Sequence, residues 1–139
     1  MKRPVCITPV VTGMCALVAV AWGRGSRQPT PPLGLTEAQT AGWQAYVDLN
    51  CASCHGENRE GKRSGPTLHG LVEHWSAEQL VSYLADPDAV VKANPRLAYK
   101  AEQYAIAMPA VSGKSPGYAG KVSEATLAAL AQYMLVDVR

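Results

Sequence analysis

Cys51-Ala52-Ser53-Cys54-His55 sets two thiols three positions apart and an imidazole directly after the second. C-x-x-C-H is the attachment pattern of a c-type haem. The chemistry explains the spacing: the two thiols add across the porphyrin vinyl groups as thioethers, and the adjoining histidine binds the iron from the same side. The expectation is one covalent haem c, held through Cys51 and Cys54, with His55 as an iron ligand. Such a group moves single electrons, and its potential depends on the second axial ligand, burial and hydrogen bonding.

Two other readings compete for the same cysteines. Cys51, Cys54, His69 and His74 fall inside the spacing window of a two-cysteine, two-histidine zinc site. That reading needs a ββα pattern, which the segment lacks, and leaves His55 without a role. A thioredoxin-like redox pair needs C-x-x-C beside a βαβ pattern, and no segment alternates as a strand should.

The 139 residues suit one small domain without internal repeats. Formal net charge is +2, and setting aside Lys2 and Arg3 leaves 11 basic residues against 11 acidic ones. No basic stripe supports nucleic-acid binding. Charge is nevertheless divided along the chain. The acidic side chains concentrate between Glu37 and Asp88, whereas Lys92, Arg96, Lys100, Lys114 and Lys121 follow Ala89. Those basic groups are read equally well as a rim that steers an acidic partner or as ordinary solvated surface.

Residues 1–23 read as an export signal, with Lys2 and Arg3 at the charged start, Val10 to Ala21 apolar, and Ala19-Val20-Ala21 or Ala21-Trp22-Gly23 offering small residues for cleavage. Pro9, Thr12 and Gly13 interrupt any longer apolar run, which makes an uncleaved membrane anchor the lesser alternative. Lipid modification at Cys15 is a third, although Val11-Thr12-Gly13-Met14 matches a lipobox poorly. With the leader gone, the 4 cysteines reduce to Cys51 and Cys54. Residues 24–35, with Gly25, Pro29, Pro31, Pro32 and Gly34, read as a linker.

The remaining domain, 36–139, reads as all-α with about four to five helices. Thr36-Glu37-Ala38-Gln39 and Ser76-Ala77-Glu78-Gln79 are capping boxes, in which a hydroxyl oxygen takes one free amide and the glutamine side chain returns to the cap. The first opens a helix bearing Gly42 and Tyr46 that delivers the chain to Cys51. The second ends near Asp86-Pro87, and Pro87 opens a short helix through Lys92. Ala98 to Ile106 is a further helix candidate. Ser123 caps a final helix in which Leu127, Leu130, Ala131 and Met134 recur at three- and four-residue spacing.

Taken with Gly65-Pro66-Thr67-Leu68-His69-Gly70, Met108-Pro109, and the Gly42/Tyr46 and Leu130/Tyr133 pairs, the motif gives the chain its likeness: it resembles a class I, mono-haem cytochrome c over about Thr36 to Val138. The resemblance implies first and last helices crossing closely at Gly42 around a single haem. It also implies a Pro66 carbonyl that accepts a hydrogen bond from His55, the kind of outer partner that orients a metal-binding imidazole and raises its basicity. Met108 is then the expected second axial ligand: Ala107-Met108-Pro109 lies between helical segments, whereas Met134 belongs to a helix stripe. The bland alternative is a methionine that fills core space. His69 is read as structural and His74 as surface. Trp75, Tyr83, Tyr104, Arg59 and Arg63 are available for the haem propionates, and the sequence does not choose among them.

The implied function is an exported electron carrier, periplasmic or in an equivalent extracytoplasmic space, a monomer meeting redox partner proteins transiently. Its alternatives are the cytochrome subunit of a dehydrogenase or oxidase complex, membrane-tethered through the N-terminus, and a haem enzyme or gas sensor with a labile sixth ligand.

Overall fold

The structure, a computed structural model, describes residues 29–137. The leader at 1–23, with the readings of cleavage, anchoring and Cys15 lipidation, lies outside the described residues, as does 24–28 of the linker. Pro29 to Leu35 precedes the first helix without regular structure, and Leu33 there is fully exposed.

The capping signals start the helices they announce. Thr36 Oγ1 accepts from the Gln39 amide at 3.3 Å while the Gln39 side chain accepts from the Thr36 amide at 2.9 Å, and α1 follows as Glu37–Asp48. Ser76 and Gln79 make the same reciprocal pair before α3, Ala77–Ala85. Ser123 and Thr126 do so before α6, Glu124–Met134. Each such cap satisfies donors that helix geometry leaves free.

Between α3 and α6 the sequence reading needs one correction. The Asp86 carboxylate caps α4, Pro87–Ala93, accepting from the Ala89 amide at 3.0 Å, as Pro87 suggests. The next helix, α5, is Pro95–Ala101 and not Ala98 to Ile106. Asn94 Oδ1 accepts from the Arg96 and Leu97 amides at 3.1 and 3.3 Å, and Pro95 occupies the first turn, where a missing N–H costs nothing. Residues 102–110 are turns and irregular chain. With a four-residue helix α2, Ala52–His55, and a 3₁₀ turn at Leu71–Glu73, the described residues hold six α-helices and no strand beyond an isolated Lys62–Gly65 bridge.

The core lies between α1, α3 and α6. Gly42 lets α1 close on α6: a Cβ there would overlap the Ala129 carbonyl and the Tyr133 Cβ. Beside this contact, Tyr46 and Tyr133 meet edge to face with ring centroids 5.6 Å apart. Leu130 and Ala131 of α6 are wholly buried, and Leu80 and Leu84 bring α3 into the same cluster. Burying one leucine in this way is worth roughly 1.5–3 kcal/mol.

Candidate functional site

Two devices aim the Cys51-to-His55 segment. Asn50 takes a left-handed conformation with φ of 57°, which asparagine tolerates, and so turns the chain out of α1. The Cys51 amide donates back to the Tyr46 carbonyl at 3.0 Å, and Cys51 begins the single turn of α2. At its far end the Tyr46 hydroxyl donates to the Gly56 carbonyl at 2.7 Å. The tyrosine that packs α1 on α6 therefore also fixes the end of the motif.

Past Gly56 the chain doubles back. The Gly61 amide donates to the His55 carbonyl at 2.8 Å, the Leu68 amide to the Arg59 carbonyl at 2.9 Å, and Lys62 Nζ to the Ala52 carbonyl at 2.7 Å. Gly65 passes so close to Cys54 that a Cβ would lie 2.9 Å from the Cys54 carbonyl oxygen. This path carries the Pro66 carbonyl to 2.9 Å from His55 Nδ1. A carbonyl only accepts, so Nδ1 holds the proton and donates, leaving the Nε2 lone pair available to a metal. His55 is buried, at 8 % exposure.

Cys51 and Cys54 carry free, half-buried thiols on this turn. Burial pushes the Cys51 thiol up to about 11, so it stays protonated near neutrality. Two unpaired thiols on one helical turn, an adjoining imidazole with a fixed tautomer, and a glycine that lets the return segment press against Cys54 fit a covalently attached haem.

Met108 stands apart in sequence, on the loop between α5 and α6, half-buried and packed against the core. That loop is anchored where the buried Val111 donates its amide hydrogen to the Leu84 carbonyl at 2.6 Å. Cys51, Cys54, His55 and Pro66 thus come together through one turn and one loop, and Met108 reaches the core from a separate one. The zinc arrangement does not assemble: among the described residues no group of three or more His, Cys, Asp or Glu side chains could hold a metal ion. The exposed His69 uses Nε2 to meet the Asn58 carbonyl at 2.7 Å, and His74 is exposed. A groove of about 500 Å³ runs between α3 and the α4–α5 pair, lined by Trp75, Gln79, Ser82, Val90, Asn94 and Leu97 among others. No motif residue lines it, and the chemistry belongs with the thiols and imidazole.

Of the residues available for propionates, Trp75 and Tyr83 pack edge to face at 5.4 Å, both half-buried. Arg59 turns elsewhere, into the end of α6: Nη1 donates to the Tyr133 carbonyl at 2.7 Å and the Met134 carbonyl at 3.1 Å. No local signal in the sequence announces this contact, because its partners lie more than seventy positions away.

The family model for cytochrome c matches residues 39–136. The chain belongs to the cytochrome c family. Its cofactor is accordingly covalent haem c, and Cys51 and Cys54 fit the attachment motif. Members of this family are typically electron carriers rather than enzymes, generally pass electrons to partner proteins, and are usually exported. No helix among the described residues is long and apolar enough to cross a membrane. No curated protein and no solved structure matches the cytochrome.

Proposed function

We propose that this cytochrome is an exported one-electron carrier, periplasmic or in an equivalent extracytoplasmic space, with His55 and Met108 as the axial ligands of one haem c and transient contact with redox proteins on either side of its pathway. Bound haem supplies the Fe(II)/Fe(III) couple; the protein's part is to orient the ligands, bury the group and limit reorganisation.

The observation that carries this reading is the His55–Pro66 bond beside the paired thiols. A donating Nδ1 fixes the ring plane and makes Nε2 more basic, which suits a permanent ligand. Met108 suits the opposite side because a thioether is soft and neutral and favours ferrous iron relative to a second imidazole. Its loop is tied to α3 through Val111, three residues on, and Met108 packs against the core, which supports an ordered position for this side chain.

The exposed Lys92, Arg96, Lys100, Lys114 and Lys121, with exposed Tyr99 and Ile106 nearby in the chain, support a partner surface rich in carboxylates. Such contacts are small and act mainly on association rate. A second reading, a tethered subunit of a larger oxidoreductase, draws on the irregular, exposed stretch before α1, which would serve as a leash. Fractionation of cells and co-purification separate the two.

Challenge of the reduced holoprotein with carbon monoxide tests the carrier. A closed sixth position gives little or slow binding together with reversible one-electron potentiometry. Rapid binding would assign the chain to the sensor or enzyme class instead.

A further inference from the structure

Arg59 is 1 % exposed, a rare setting for a guanidinium, and its backbone has φ of 65°, a left-handed conformation that disfavours a side chain. Contacts on two sides hold it there. Its carbonyl accepts from the Leu68 amide at 2.9 Å and from Thr67 Oγ1 at 3.2 Å, within the segment that carries Pro66. Its side chain reaches the last carbonyls of α6 and lies with Cζ 4.7 Å from the centre of the Tyr133 ring. The negative end of the α6 dipole and the ring face both favour a cation. Both hydrogen-bond acceptors are neutral carbonyls, however, and Nη2 is buried with no hydrogen-bond partner among the described residues. A guanidinium cannot shed its proton. A full positive charge therefore sits in the protein interior four residues after His55.

From this geometry we infer that Arg59 is a positioning residue that sets the reduction potential of the haem: it locks the loop bearing Pro66 onto α6, and its buried charge disfavours the ferric state. Ferric haem carries one more positive charge than ferrous haem, and charges in a low-dielectric interior are weakly screened, so a nearby cation favours the electron's arrival. The inference deepens the electron-transfer reading and rests on the family's covalent haem, not on Met108 being the sixth ligand.

Equilibrium redox titration of the holoprotein tests it, comparing wild type with Arg59→Lys, Arg59→Gln and Arg59→Gly. Loss of charge in Arg59→Gln and Arg59→Gly shifts the midpoint to lower potential, while Arg59→Lys, which keeps the charge, stays near wild type. Glycine also removes the left-handed strain, so Arg59→Gly carries the same readout if Arg59→Gln does not assemble. The inference is overturned if Arg59→Gln and Arg59→Gly keep the wild-type midpoint and lose only thermal stability, which describes a plain helix clamp. A midpoint for Arg59→Lys as low as that of Arg59→Gln overturns it too. The sulfur-to-iron absorption band of the wild-type ferric protein reports Met108 ligation separately, so failure of one reading is not mistaken for failure of the other.

Discussion

Gly42 lies against the Ala129 main chain where α1 packs on α6, and there is no room between them for a methyl group. The obstacle is backbone, which cannot rotate aside as a side chain can. Gly42→Ala should cost about 3 kcal/mol, the upper part of the usual overpacking range, because the two helices must separate. Denaturant unfolding of the holoprotein measures this. A loss within experimental error would mean that α1 and α6 are not in the contact described.

Three tyrosines, Tyr46 and Tyr133 buried and Tyr83 half-buried, set an alkaline limit. Burial raises Tyr46, Tyr83 and Tyr133 above the ordinary value of 10.0, Tyr46 most clearly. A folded state that holds these protons more tightly than the unfolded chain has that stability in full below pH of about 10 and loses it as pH rises toward the raised values. Tyrosinate absorbance from Tyr46, Tyr83 and Tyr133 should therefore lag until the protein unfolds. Tyr46→Phe should flatten the alkaline loss and cost about 1 kcal/mol at neutral pH, since the buried Gly56 carbonyl loses the shorter of its two hydrogen bonds and keeps only the one from the Arg59 amide at 3.3 Å. Full tyrosine ionisation without unfolding would contradict the burial.

Local chemistry was what the sequence displayed. Thr36, Ser76 and Ser123 each act on an amide three residues ahead, and Cys51, Cys54 and His55 share one turn, so neighbouring residues carry the information. The α5 start differs from the alanine-based expectation because Asn94-Pro95, a cap followed by a first-turn proline, opens the helix ahead of Ala98. Arg59 and Val111 were beyond local reading. Their partners are the α6 carbonyls and Leu84, contacts that exist only after the helices have packed.

Asn94→Ala offers a check on that corrected boundary. Its side chain satisfies two amides of α5, and losing such a cap costs roughly 1 kcal/mol. Hydrogen exchange should quicken for the amides of Arg96 and Leu97 and leave α1 and α6 protected. Equal protection of α5 in both proteins would place its start elsewhere.

Haem attachment should also be needed for the fold. A domain this small buries limited apolar surface on its own and gains from a staple. Replacing Cys51 and Cys54 together by alanine should leave little cooperatively folded protein, read by circular dichroism during thermal unfolding. A helical apoprotein as stable as the holoprotein would refute the dependence.

The ferric absorption spectrum of the wild-type protein beside Met108→Ala tests the proposed His55/Met108 pair most directly. The wild type should show the long-wavelength sulfur-to-iron band; the variant should keep its covalent haem, lose that band, titrate at lower potential and bind carbon monoxide when reduced. A band absent from the wild type, or unchanged in the variant, would contradict Met108 as the second ligand.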